Sequence, residues 1–431
     1  MKGPESNQFK RAARMTGLGV RLLGSNLGFA LGNLFSSEEV KKTRRSAFQE
    51  TNARRIRREL QDLRGPAMKL GQVLSMQSHF LDEKAIEELT ALQMQAPPMH
   101  PTLMRIQFRA EFGRDPEQVF AKFDPEPFAA ASLGQVHHAT TKEGVKAVVK
   151  IQYPAVREII ETDFNTLSRA MLPARLTQFV PDSAIEELRR GILLECDYRN
   201  EARNIQRFGD AMKDIDYVRL PTVFPEMSGE RVISMSFVEG KHVDAFLSEK
   251  PSQKLRDLAG RRLTELFCFQ AYTMRLLHAD PHAGNHLFQD DSIGMLDFGC
   301  VTELQPGVVQ CIRDFSRAQW DENDEVYSSM LKVIRGPGVS PTDPGPRQTL
   351  NEMMKVYRCL YKQDGTPTDF GDPRVLREMA NLYKTMIGSK FLSKGFLFYS
   401  RAEMGLYMML HRLGARVSTY AIATHAMGLS R

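Results

Sequence analysis

The stretch from Leu276 to Gly299, LLHADPHAGNHLFQDDSIGMLDFG, constrains this chain more than any other. It carries His278-Ala279-Asp280 with Asn285 close behind, and then Asp297-Phe298-Gly299. Asp280 is a carboxylate able to accept or orient a hydroxyl proton, while Asn285 and Asp297 are hard oxygen donors suited to Mg2+ on nucleotide phosphates. Between the motifs, His286 to Gln289 and Ile293 to Leu296 read as short strands about a polar turn at Asp290-Asp291-Ser292. A lone His-x-Asp or Asp-Phe-Gly arises by chance in many proteins, where the Asp caps a turn and the Phe packs. Both motifs in this order, about a hairpin, point to a phosphoryl-transfer centre.

The remaining parts of such a centre can be sought along the chain. In protein-kinase terms His278-Ala279-Asp280 stands where His-Arg-Asp would be, and Lys150, flanked by Val148, Val149 and Ile151, fits the strand lysine that grips phosphate. A glycine-rich loop belongs just before that strand. Here stand Ala129, Ala130, Ala131 and Ser132, and alanine disfavours positive φ, so a stiffer loop that approaches phosphate less freely is expected. Asp182 to Phe208 reads as one long helix carrying Glu195, Asp197 and Glu201. On such a helix Glu195 and Asp197 cannot share a face, since two residues turn about 200 degrees, so different partners are expected for them. Glu230 to Gly240 reads as a strand running into a hinge, where backbone groups near Met235 to Val238 would meet an adenine. Leu255 to Leu277 reads as a long amphipathic helix delivering the chain to His278. After Gly299 there is no Ala-Pro-Glu, so the long activation segment with its peptide platform is expected to be missing.

The N-terminal third does not read as part of an ordinary kinase. Met15 to Phe35 is apolar and glycine-rich, with Gly24, Gly28 and Gly32 on one helix face in the small-xxx-small pattern of close membrane-helix packing. Its length approaches the roughly 20 apolar residues that a span needs. Arg21, Asn26 and Asn33 interrupt it, which favours a helix lying in a membrane interface over a true span. A cleaved signal peptide fits worse, because Arg21 splits the apolar region. Lys41 to Arg64 is strongly basic and suits phosphate or anionic lipid, with a solvated helix face as the bland alternative. Few aromatic residues accompany those charges, so nucleic acid is not expected as a partner. Ser46 to Phe80, Asp82 to Gln95 and Thr102 to Phe112 read as helices, the first containing Lys69-Leu70-Gly71-Gln72. Four regions result: a membrane-seeking segment over 1–40, a helical extension over 41–115, an N-lobe over 116–240 and a C-lobe over 241–431.

With 431 residues the chain can bury more than one core, and 42% apolar with 26% charged residues excludes disorder as its main character. Its five cysteines are dispersed and never form C-x-x-C, which argues against a disulfide scaffold or zinc site and fits a reducing compartment.

Lys69-Leu70-Gly71-Gln72, Ala129 to Ser132, Glu195-Cys196-Asp197, His278-Ala279-Asp280 and Asp297-Phe298-Gly299 together resemble the UbiB, or AarF-domain, family of atypical kinases. The resemblance runs over almost the whole chain and is nearest to the members of coenzyme Q biosynthesis. It implies an α+β, bilobal protein-kinase-like fold with an N-terminal helical extension folded over the active site. Carried across, Lys69 and Gln72 would approach Glu195 and Asp197, with Glu195 the salt-bridge partner of Lys69. Glu201 would be the partner of Lys150, one helical turn beyond Asp197 on the same face. ATP or ADP with Mg2+ is the implied cofactor, bound through the alanine loop, Lys150 and the hinge at Met235 and Val238. Asp280 is the implied catalytic carboxylate, and Asn285 and Asp297 the implied metal ligands.

The implied partners are an anionic membrane surface and coenzyme Q precursors or their biosynthetic enzymes, with a homodimer through the glycine face. The implied location is peripheral to a membrane, in the cytoplasm or on the matrix side of a mitochondrion. Three activities compete: an ATPase or lipid-directed kinase, a protein kinase disfavoured by the extension, and a nucleotide-gated scaffold.

Overall fold

The computed structural model describes residues 99–131, 133–171, 193–280, 283–321, 344–388 and 394–429, together with Thr51, Arg54 and Arg189. The expectations for Met15 to Phe35, Lys69, Gln72, the helix from Asp82 to Gln95 and Ser132 fall outside these residues. The chain divides into two compact units, one reaching Arg203 and including Val223–Phe237, the other holding Asn204–Thr222 and the chain from Val238 onward.

The first unit opens with α1 (Pro101–Phe112), started by Pro101 after His100 and stopped at Gly113, whose φ of 67° lets its N–H reach the carbonyl of Arg109 at 2.7 Å. A short α2 (Pro116–Val119) leads into β1 (Lys122–Phe123). The sheet continues with β2 (Ala129–Ala131), β3 (Gly134–Thr140), β4 (Lys146–Gln152) and, after α3 (Val156–Met171) and the start of α4 (Tyr198–Met212), β6 (Val232–Ser236). Its order is β1-β3-β4-β6, with β2 paired to β3, and every pairing is antiparallel. Alternation on β4 buries Val149 and Ile151 completely, and α1 lies against that strand with Met104 and Phe108 fully buried.

Two expectations change in this unit. The alanines do not form an open loop: Ala129, Ala130 and Ala131 pair with Val136, Gln135 and Gly134 as a tight hairpin. The stretch from Asp182 is not one helix through Phe208, because the chain turns at Cys196-Asp197 and α4 starts at Tyr198. Asp197 is the cause, since its Oδ1 accepts the N–H of Arg199 at 3.0 Å and so caps the new helix.

In the second unit, β5 (Val218–Arg219) lies parallel to β9 (Ser292–Met295), which pairs antiparallel with β8 (His286–Gln289). Helices α5 (Val243–Ser248) and α6 (Gln253–Cys268) precede a π-helical turn, Phe269–Met274. The chain then reverses at Arg275, φ 55°, into β7 (Leu276–His278), which pairs antiparallel with β10 (Val301–Glu303). The expected helix to Leu277 therefore ends early; Leu276 and Leu277 are buried by strand pairing instead. The rest is α7 (Pro306–Asp321), α8 (Pro344–Leu360), β11 (Thr368–Asp369), α9 (Pro373–Gly388), α10 (Lys394–Leu413), β12 (Arg416–Val417) and α11 (Thr419–Ala426). α6 packs on α10 and α11, and at Gly260 an added Cβ would lie 2.6 Å from that of Ala415, in the turn after α10, and 3.1 Å from Leu410 on α10. Within the run Leu406 to Leu410 read as core, Met409 and Leu410 are buried while Met408 is half exposed.

Candidate active site

Lys150 projects from β4 into apolar surroundings, and burying an ammonium there requires a partner. The first turn of α4 supplies it: Lys150 Nζ donates to Glu201 Oε1 at 2.9 Å and Oε2 at 3.0 Å, and both residues are buried. The ammonium also lies 5.3 Å from the ring centroid of Tyr198, a cation–π contact that sequence reasoning did not foresee. The turn before α4 is tied to the strand, as Gln152 Nε2 donates to the carbonyl of Cys196 at 2.7 Å. Burial, aided by the charge of Glu195, pushes the Cys196 thiol up to about 12, so it is no nucleophile. Glu195 and Asp197 are half-buried on either side of it; Asp197 is a helix cap with Arg203 4.0 Å away, not a neighbour of Glu201 on a helix face.

Met235 is corrected as a hinge contact. The N–H of Phe237 donates to the carbonyl of Lys146, and hydrogen-bonded pairs alternate along an antiparallel ladder, so Met235 faces Val148 as another bonded pair. Its main chain belongs to the sheet and has no free edge for an adenine. Val238 follows the strand, already in the second unit, and packs on Gly294 of that same unit. Ahead of the lysine strand, Gln135 is buried and accepts the N–H of Met99 at 2.8 Å, while its Nε2 lies 2.8 Å from His137 Nε2. His137 Nδ1 must donate to the carbonyl of Asp124, 2.8 Å away, so Nε2 accepts from Gln135 and the ring is neutral. Burial pushes this imidazole down from its usual range.

The second unit assembles the oxygen donors. Asn285 ends a short 3-10 turn and is buried; its Nδ2 donates to Asp280 Oδ2 at 2.9 Å, which leaves its amide oxygen as the acceptor of the side chain. The carbonyl of Asn285 accepts the N–H of Leu296 at 2.9 Å, which fixes the turn against the start of the Asp-Phe-Gly triplet. Asp297 has φ 55°, a left-handed conformation that Asp tolerates better than most side chains. Three contacts hold the triplet there. His278 Nε2 lies 2.8 Å from the carbonyl oxygen of Asp297 and 3.0 Å from that of Leu296, which makes it a donor. Phe298 is completely buried, edge-on to Phe208 and His278 with centroids 5.0 and 5.3 Å away. Asn204, one turn along α4 from Glu201, donates to the carbonyl of Phe298 at 2.9 Å. Asn204 and Phe208 were missed from sequence; their signal is the one-turn spacing after Glu201 on an amphipathic helix.

Two carboxylates and an amide oxygen are donors of the chemical kind that suits a hard divalent cation. A family model, the ABC1 atypical kinase-like domain, matches residues 91–329. The chain belongs to the ABC1 atypical kinase-like family. Its kinase-like, α+β fold accords with this membership. Among relatives, the atypical kinase COQ8 of Saccharomyces cerevisiae, a mitochondrial protein, is 34% identical over 258 residues, 58% of this chain and 50% of that one. A probable serine/threonine-protein kinase, abkA, of Dictyostelium discoideum is 31% identical over 303 residues, 66% of this chain and 53% of that one. The chain thus spans about half the length of these two relatives. The solved complex of Rv3197 with erythromycin from Mycobacterium tuberculosis aligns with TM-score 0.61 and 25% identity, over 86% of this chain and 94% of that one. The ABC1 match contains every described site residue from Ala129 to Asp297.

Proposed function

We propose that this ABC1 family member binds Mg-ATP and Mg-ADP and acts as an ATPase or lipid-directed kinase in support of coenzyme Q biosynthesis at a membrane. The observation that carries the reading is the oxygen set of Asp280, Asn285 and Asp297, in which Asn285 bonds Asp280 and His278 holds the main chain of Asp297 at a left-handed φ of 55°. Lys150, kept straight by Glu201, binds nucleotide phosphate. Asn285 and Asp297 hold the cation, which when bound neutralises charge developing on the transferred phosphoryl group. Asp280 takes up or orients the proton of the attacking hydroxyl or water.

The substrate side of the reading rests on other features. Similarity to a mitochondrial COQ8 supports a coenzyme Q role and, of the two locations expected, the mitochondrial one. The basic segment Lys41 to Arg64 and the glycine face of Gly24, Gly28 and Gly32 suit an anionic membrane and a homodimer. Lys69 and Gln72 act as a regulatory extension toward Glu195 and Asp197. Direct passage from Asp-Phe-Gly into β10 leaves little platform for a peptide, which disfavours a protein kinase.

Phosphate release from Mg-ATP by the purified chain, with and without vesicles of anionic lipid, tests this. Turnover that rises with lipid and vanishes in Asp297→Asn is expected. Tight nucleotide binding without turnover in either condition would replace the reading with a nucleotide-gated scaffold.

A further inference from the structure

The π-helical turn Phe269–Met274 lies directly before β7, and π-helical turns are frequent at functional sites. This one delivers Gln270. The side chain is buried, and its Oε1 accepts the N–H of His278 at 2.9 Å. His278 in turn donates through Nε2 to the carbonyl of Asp297. One buried amide is therefore joined, through a single residue, to the main chain that aims the Asp297 carboxylate.

The other side of the same turn is anchored. Tyr272 shares a hydrogen bond of 2.7 Å with Tyr399, whose hydroxyl donates to Glu403 Oε1 at 3.4 Å. Glu403 is buried and also accepts from Tyr407 at 2.9 Å, Tyr361 at 3.1 Å and, closer still, Tyr357. A buried carboxyl group with this many hydrogen-bond partners is a rigid node, and it ties the π turn to α8 and α10.

We propose that Gln270 is a positioning residue for the cation-binding carboxylate of Asp297, acting through His278, and that the Tyr272–Tyr399–Glu403 chain holds the turn that supplies it. This rests on the reading that Asp297 holds the nucleotide's Mg2+. Neither Gln270 nor the tyrosine node touches the reacting groups, so the effect is on aim and not on chemistry.

The full chain is compared with Gln270→Met, which keeps length but loses the acceptor, with Gln270→Glu, which keeps an acceptor oxygen, and with Tyr399→Phe. ADP affinity is measured with Mg2+ and with EDTA, and amide hydrogen exchange is followed over 276–280 and 296–300 without ligand. In Gln270→Met the Mg2+ enhancement of ADP affinity should shrink about tenfold and exchange over 296–300 should quicken, with EDTA affinity unchanged. Gln270→Glu should restore both readouts, and Tyr399→Phe should shift them the same way by less. Tyr399→Phe also keeps the proposal testable should Gln270→Met not fold. Parent-like exchange and parent-like Mg2+ enhancement in Gln270→Met would overturn the proposal. So would an equal loss of affinity with and without Mg2+, which marks mere loosening. If the parent's own ADP affinity ignores Mg2+, the reading of Asp297 fails and takes this proposal with it; the parent arm, measured first, separates the two failures.

Discussion

Lys150 and Glu201 face each other with Nζ 2.9 and 3.0 Å from the two carboxylate oxygens, and only 9% and 3% of their side chains reach solvent. Removing one partner from such a pair strands the other. Glu201→Leu should cost about 3–5 kcal/mol in denaturant unfolding, while Lys150→Met with Glu201→Leu together should cost less than Glu201→Leu alone. A double variant as unstable as the sum of the singles would contradict this. Nucleotide turnover should be lost in all of them.

Asp297→Asn should separate stability from activity. Asn tolerates the left-handed φ of 55° as readily as Asp, so the thermal midpoint should not fall. Loss of a charged cation ligand is worth several kcal/mol of transition-state stabilisation, so Mg-dependent turnover should drop by about a hundredfold or more. Calorimetry beside a phosphate-release assay checks both halves.

Two glycine-to-alanine changes should have opposite signs. A Cβ on Gly134 would lie 2.2 Å from the carbonyl oxygen of Ile151 and 2.8 Å from its carbon, both main chain of β4, so nothing flexible can yield. Gly134→Ala should destabilise by about 1–3 kcal/mol or more. Gly209 sits in α4 with open space where a Cβ would go, and Gly209→Ala should stabilise by about 0.5–1 kcal/mol. Urea midpoints of the two variants give the signs directly.

Glu403 predicts a pH dependence. Burial raises its affinity for a proton, and hydrogen bonds from Tyr357, Tyr407, Tyr361 and Tyr399 offset only part of this. Above the ordinary glutamate range the native state therefore binds this proton more tightly than the unfolded state does. The resulting stability is fully present below the ordinary glutamate range and is lost as pH rises through the raised folded value. Glu403→Gln lacks this component, so its stability relative to the parent should improve as pH rises above the ordinary glutamate range, read by denaturant titration. A flat difference would contradict the shift.

Much of the fold was legible where local chemistry decides it. The β8–β9 hairpin could be read from alternation, although β9 begins at Ser292, one residue earlier than expected. Ser292 Oγ bonds the carbonyl of Gln289, and Asp290 adopts φ 48°, which closes a two-residue turn. Helix α1 could be read over Thr102 to Phe112 after the proline-rich breaker, one residue short of its start at Pro101. Periodicity failed where a side chain or a distant strand overrides it. Asp197 breaks the run toward Phe208 because a capping carboxylate competes with the helix, and Leu276–Leu277 leave helical register because Val301–Glu303, far along the chain, pairs with them. At the site, residue types with intrinsic chemistry stood out, as Lys150, Asp280, Asn285 and Asp297 did. Residues that act by bracing, such as Tyr198, Asn204, Phe208 and Gln270, look like ordinary helix positions until the packing is known.

The brevity of the path from Gly299 to α7 has a regulatory consequence. Only β10 and a short turn lie between them, and Thr302, the one hydroxyl residue in that interval, is paired with Leu277 in the ladder. A phosphate placed there would sit on the strand paired with the one that carries His278. A charge added to this segment would therefore be felt by the ladder behind the centre, with no long loop between Gly299 and α7 to absorb it.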